Sequence, residues 1–140
     1  MDIPAPVFIS LGSNLGDREK HLHTAIELIA GMSNSELVKS SGIYSTAAWG
    51  KTDQPDFLNM VIEIRTSHQP ETLMKELLQL ENKMGRMRDD RWGPRLIDMD
   101  ILFYGNKVHR SEMLIIPHPE LHKRKFVLVP LQEIAAEFIH

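Results

Sequence analysis

Arg86, Arg88, Arg91 and Arg95 fall within ten residues of one another, and Asp98 and Asp100 follow directly. No lysine lies among these arginines. A guanidinium is a rigid, two-pronged donor that matches phosphate oxygens, whereas an ammonium is only a point charge. The two aspartates alternate with Ile97, Met99 and Ile101, and Leu96, Leu102, Phe103 and Tyr104 flank them. That alternation predicts a half-buried strand. On a strand, residues two apart project to one face, which puts the two Cα atoms ~6–7 Å apart at a rise of about 3.3 Å per residue. On a helix the same pair would diverge by about 200°.

Aspartate suits strands poorly, and like charges on one strand face repel. A hard divalent cation offsets that repulsion, because Mg²⁺ takes one or two carboxylates together with phosphate oxygens. The bland alternative is a solvent-facing edge strand whose charges only resist aggregation. For the arginines it is a solvated loop on which Asp89 and Asp90 neutralise two of them. Neither alternative explains why an arginine set leads straight into a carboxylate pair. Together these are the components of a nucleotide phosphoryl-transfer site.

The elements that must position these groups are legible around them. Val7-Phe8-Ile9-Ser10-Leu11, ended by Gly12, predicts a buried strand. Asp17 or Asn14 caps a helix that runs to about Ala30, with Leu22, Ile26 and Ile29 on one face and Gly31 at its end. His21 and His23 diverge on that helix and read as surface residues. The glycine-rich turn 12–16 is no P-loop, since no Gly-Lys-Ser/Thr follows it. Glu36 to Ser45 predicts a second strand, and residues 46–56 a loop rich in turn formers. Phe57 to Ile64 predicts a third, with Phe57, Asn59 and Val61 on one face and Leu58, Met60 and Ile62 on the other. Trp49 and Phe57 would sandwich a flat heterocycle, with the Asn59 amide pairing to its edge; the competing reading puts both rings in the core. Pro70 opens a second helix whose Leu73, Leu77, Leu80 and Met84 recur at helical spacing, and Gly85 ends it. Val108 to Ile116 reads as irregular or extended, and the chain closes on an apolar helix.

The motif Arg91-Trp-Gly-Pro-Arg95-x-x-Asp98-x-Asp100-Ile-Leu resembles the signature of the 6-hydroxymethyl-7,8-dihydropterin pyrophosphokinases. Phe8-Ile-Ser-Leu-Gly-Ser-Asn-Leu-Gly-Asp-Arg18 is similar to the opening motif of that family. Thr46, Gly50, Gln54, Pro55, Phe57 and Asn59 match its Thr-x-x-x-Gly and Gln-Pro-x-Tyr/Phe-x-Asn pattern. Ala47 and Ala48 stand where family members often carry prolines.

The resemblance implies transfer of the β,γ-pyrophosphoryl group of ATP to the hydroxymethyl oxygen of the dihydropterin, yielding AMP, in folate biosynthesis. It implies two Mg²⁺ on Asp98 and Asp100, and catalytic roles for Arg86 and Arg88. It places Glu81, Arg91, Trp92, Arg95, His118 and Arg124 with ATP, although Glu81 taken alone also reads as a solvated helix residue. His118 and His122 have the spacing of a helical metal pair, but no third ligand is evident. It places Thr46, Ala47, Trp49, Phe57, Asn59 and Phe126 with the pterin; taken alone, Phe126 packs in the core beside Val127 and Leu128. The segment 85–95 is expected to close over the substrates, with Gly85 and Gly93 as hinges.

The order strand-helix-strand-strand-helix-strand predicts an α+β, ferredoxin-like domain with a mainly antiparallel sheet and packed helices. The 140 residues, 42% hydrophobic and 25% charged, suit a single domain over residues 1–140. Two other classes are open in principle. An RNA-binding ferredoxin-like module needs a basic sheet face, which a net charge of −3 disfavours, so nucleic acid is not expected as a partner. A metal-dependent phosphohydrolase needs a residue that positions water. AMP formed only when ATP and pterin are both present selects the kinase. The absence of cysteine excludes disulfides. No leader-like or membrane-spanning run is seen, so a cytoplasmic monomer is expected.

Overall fold

The computed structural model describes residues 6–46, 56–85, 96–111, 114–118 and 125–135. A central sheet is built from β1 (Pro6–Ser13), β2 (Ser35–Ser40), β3 (Tyr44–Thr46), β4 (Phe57–Thr66) and β5 (Asp98–Tyr104). Its order is β2-β4-β1-β5, with β3 also on β4, and its pairings are antiparallel. Helices α1 (Arg18–Ala30) and α2 (Pro70–Lys83) follow β1 and β4, a small β6–β7 hairpin (His109–Arg110 and Ile115–Ile116) follows β5, and α3 (Lys125–Ala135) comes last. The α+β, ferredoxin-like expectation holds.

Local chemistry explains the helix boundaries. Asp17 caps α1, its carboxylate accepting from the Lys20 N–H at 3.2 Å. Of the two cap candidates, Asn14 is instead buried at the end of β1. Pro70 begins α2, where a missing N–H costs nothing. Gly85 follows the Met84 cap with φ at +94°, a conformation that penalises any side chain.

The sheet has two unlike faces. Val7, Ile9, Leu11, Met60, Ile62, Ile64, Met99 and Ile101 pack against Leu22, Ala25 and Ile29 of α1 and Leu73 and Leu77 of α2. On the opposite face a smaller cluster gathers Phe8, Val61 and Leu102 beneath Leu131 of α3. Leu102 reaches it by plain alternation from Asp98 and Asp100, and a bulge between Ile101 and Phe103 brings Phe103 opposite Phe8, so that it packs there too.

Two expectations need correction. The strand read over Glu36–Ser45 is two strands, β2 and β3, laid end to end along β4. The break falls at Ser41, whose hydroxyl accepts the Val61 N–H at 2.9 Å in place of a backbone carbonyl. The side chain thus ends the ladder, a competition that periodicity does not show. Residues 108–116 are likewise not simply irregular, since they form the β6–β7 hairpin.

Candidate active site

Register assembles the site. Asp98 of β5 lies opposite Gly12 of β1, Gly12 lies opposite Asn59 of β4, and Asn59 lies opposite Tyr44 of β3. Directly opposed residues share a face, so one row across the sheet carries Tyr44, the Asn59 amide, an open glycine and the Asp98 carboxylate. One step along, Asp100 lies opposite Ser10 and Ser10 opposite Val61. This is the α3 face, beyond the end of its small apolar cluster. At strand spacings of about 4.8 Å, Asn59 and Asp98 stand ~10 Å apart, the width of a small flat substrate.

Gly12 keeps the floor of this row clear. A Cβ there would lie 3.0 Å from Asn59 Oδ1 and 3.8 Å from Phe57 Cδ1. Asn59 is 5% exposed. Phe57 is half-buried, and among the described residues it joins neither apolar cluster. Arg18 donates from Nη1 to the carbonyl of Asp56 at 2.7 Å and thereby holds the residue just before Phe57.

Asp98 and Asp100 are both half-buried and share a strand face, as their alternation predicts. Among the described residues no group of three His, Cys, Asp or Glu side chains converges. Two carboxylates alone suit a cation that takes its other ligands from phosphate and water, which is the habit of Mg²⁺.

β5 is an edge strand, and residues expected at the ATP side occupy that edge. Glu81 is 1% exposed, and its Oε2 accepts the Met99 N–H at 2.7 Å, between the two aspartates. The solvated-helix alternative for Glu81 is therefore wrong. The side chain closes the open edge of the sheet, where an unpaired N–H would be costly. His118 donates its backbone N–H to the Leu102 carbonyl at 3.0 Å, and its side chain is half-buried.

The structure thus brings together Asn59, Phe57, Asp98 and Asp100, with Glu81 and His118 along the β5 edge. Thr46 ends β3 opposite Phe57, and Phe126 lies in the first turn of α3. Arg86, Arg88, Arg91, Trp92, Arg95, Ala47, Trp49, Arg124 and the hinge candidate Gly93 lie outside the described residues. Gly12, Arg18 and Glu133 were not read as site residues. The first two stand inside the opening motif quoted above, but only the strand register of Gly12 and the hydrogen bond of Arg18 show what each touches.

Over residues 8–136 the chain matches the family described as 7,8-dihydro-6-hydroxymethylpterin-pyrophosphokinase. The chain belongs to this pyrophosphokinase family. It is 46% identical over 132 residues to the 2-amino-4-hydroxy-6-hydroxymethyldihydropteridine pyrophosphokinase of Haemophilus influenzae, covering 94% of this chain and 82% of that one. The enzyme of the same name from Bacillus subtilis is 45% identical over 130 residues, 93% of this chain and 78% of its own. The fold is also that of a crystallised HPPK-DHPS in complex with substrates, with a TM-score of 0.75 over 99% of this chain and 41% of that one, at 15% identity. Among the described residues no helix is long and apolar enough to cross a membrane.

Proposed function

We propose that this pyrophosphokinase binds the pterin across the Asn59–Gly12–Asp98 row and ATP along the β5 edge, so that the two substrates meet at Asp98 and Asp100. The activity is that of the family: ATP gives its β,γ-pyrophosphoryl group to the hydroxymethyl oxygen of the dihydropterin, in folate biosynthesis. The hydroxyl oxygen loses its proton to solvent and bonds to the β-phosphorus, the bond to the α,β-bridging oxygen breaks, and AMP leaves with that oxygen. The observation that carries the placement is the cross-strand row. It sets an amide able to read a heterocycle edge and a carboxylate able to hold a metal on one face, with only a glycine between them.

Asp98 and Asp100 would hold two Mg²⁺ together with ATP. When bound, the ions neutralise the phosphate oxygens and lower the pKa of the attacking hydroxyl. The protein's own residues do the rest. The Asn59 amide and Phe57 orient the ring, and the half-buried strand face limits access of water that would hydrolyse ATP. Glu81 pins the Met99 N–H and so fixes the backbone between the two aspartates. Arg86, Arg88, Arg91, Arg95, His118 and Arg124 supply positive charge as negative charge moves toward the leaving AMP. Trp92 completes the ATP side. Thr46, Ala47, Trp49 and Phe126 complete the pterin side. We assign this work to one domain over residues 1–140, acting as a cytoplasmic monomer.

The test is product analysis. The protein mixed with MgATP releases AMP only when the dihydropterin is present. AMP or ADP released at the same rate without pterin would mean a hydrolase. Arg86→Lys and Arg88→Lys keep the charge but lose the fork, and they slow turnover more than they weaken ATP.

A further inference from the structure

Glu133 of α3 has no part in the chemistry above, yet its carboxylate accepts hydrogen bonds from two donors far away in the chain. Gly42 N–H donates to its Oε1 and Oε2, at 3.1 Å each. The Tyr44 hydroxyl donates to Oε1 at 2.5 Å. These partners lie 91 and 89 residues away along the chain. A carboxylate is acceptor-only, and both partners here are donors, so the match is complete.

The partners matter because of where they sit. Gly42 lies between β2 and β3, and Tyr44 is the first residue of β3. β3 is three residues long, too short to hold its place by ladder bonds alone. In register it faces the pterin side of β4, with Tyr44 opposite Asn59 and Thr46 opposite Phe57. It then leads into the segment that carries Ala47 and Trp49. At the other end of the bond, α3 also carries position 126, seven residues before Glu133. Seven residues are two helical turns, so both positions lie on about one stripe of the helix. Leu131 and Ile134 press α3 onto Phe8, Val61 and Leu102. Such apolar contact is non-directional and sets that the helix lies on the sheet, not where along it. Pro130 within α3 removes one intrahelical bond, which leaves more of the placement to tertiary contacts.

We propose that Glu133 is a positioning residue for the pterin: by tying α3 to Gly42 and Tyr44 it sets the gap between helix α3, which carries position 126, and the strand face carrying Phe57 and Asn59. This inference rests on the assignment of those three residues to the pterin. The ATP side, along β5, does not depend on the tie.

The test uses the full chain, with AMP release measured against each substrate in turn. Glu133→Ala loses a set of bonds each worth about fivefold, so KM for the pterin rises about five- to tenfold. kcat and KM for ATP stay within about twofold. Glu133→Gln recovers most of the loss, because its amide oxygen still accepts from Gly42 and Tyr44. Tyr44→Phe shows part of the effect, and adding it to Glu133→Ala adds little, since both remove one contact. An unchanged pterin KM in a folded Glu133→Ala protein overturns the inference. So does an equal rise in both KM values, which means only a loosened fold. Asn59→Ala separates the two ways of failing. If pterin KM is insensitive to Asn59 as well, the pocket assignment falls and this inference falls with it. If it is sensitive to Asn59 but not to Glu133, this inference alone falls.

Discussion

The strands of the central sheet serve two faces with opposite demands. Toward α1 and α2 every second residue is a large apolar side chain, such as Ile9, Leu11, Ile62 and Met99, closed over completely. Toward α3 the same strands carry Phe8 and Val61 at one end, then Ser10, Gly12, Asn59, Asp98 and Asp100. Leu11 and Gly12 are neighbours in sequence and belong to different physics. The covered face supplies the burial that lets the other face hold charge and an open floor. The proposed site therefore lies where the fold packs least, a trade seen wherever a site is carved from a stable scaffold.

The contrast is sharpest at the aspartates. Asp98→Asn or Asp100→Asn keeps the shape and removes one of two like charges from a strand face. Specific activity should fall by several kcal/mol of transition-state stabilisation, since alignment and neutralisation of the transferring group are lost. The melting temperature of the ligand-free protein should not fall. Melts with and without MgATP beside an AMP-release assay check this; an Asn variant that melts early but keeps its specific activity would place these residues on the structural side of the comparison.

Leu11→Ala tests the covered face. Leu11 is buried among Met60 and Met99 in register, and its loss should cost about 2–5 kcal/mol of stability. Urea unfolding measures the loss, while activity per folded molecule at low temperature should persist. A large loss of pterin affinity at unchanged stability would blur the two faces.

Next in size are two changes to the open floor. Asn59→Ala should weaken the pterin by about 1–3 kcal/mol and leave ATP nearly unchanged, because a buried amide loses its partner. Gly12→Ala should act on the same ligand by a different route, since the new methyl would crowd Asn59 Oδ1 at 3.0 Å. Calorimetric titration with each ligand separates recognition from misfolding: equal loss of both ligands would point to the fold.

The smallest effect is one of pH. The hydrogen bond from Tyr44 to Glu133 is the main reason that the tyrosine pKa lies above its ordinary 10.0, with desolvation and the nearby charge adding to it. A group whose pKa is raised by folding lends stability in full below the unfolded pKa and loses it as pH climbs through the folded one. Stability should therefore decline above pH 10 through this group, and Tyr44→Phe should flatten that limb. Melting temperatures of both proteins across the alkaline range show whether it does.

What the sequence determined by itself is what local chemistry governs. Alternation around Asp98 and Asp100 prescribed their common strand face; Asp17 or Asn14, and Pro70, marked helix starts; and the arginine-to-aspartate motif pointed to the family. Strand existence needs only a period of two, which a short window reveals. What the tertiary structure decided is everything that depends on which strand meets which. The row from Tyr44 through Asn59 and Gly12 to Asp98 joins four separate segments of chain. Glu81 looks like any helix glutamate until the open edge of β5 offers it the Met99 N–H, and Glu133 until Gly42 and Tyr44 come within reach. Ser41 looks like any strand serine until its hydroxyl takes the Val61 N–H and ends β2. A polar side chain has many partners of equal chemistry in the sequence, and only the folded chain brings one of them within 3 Å.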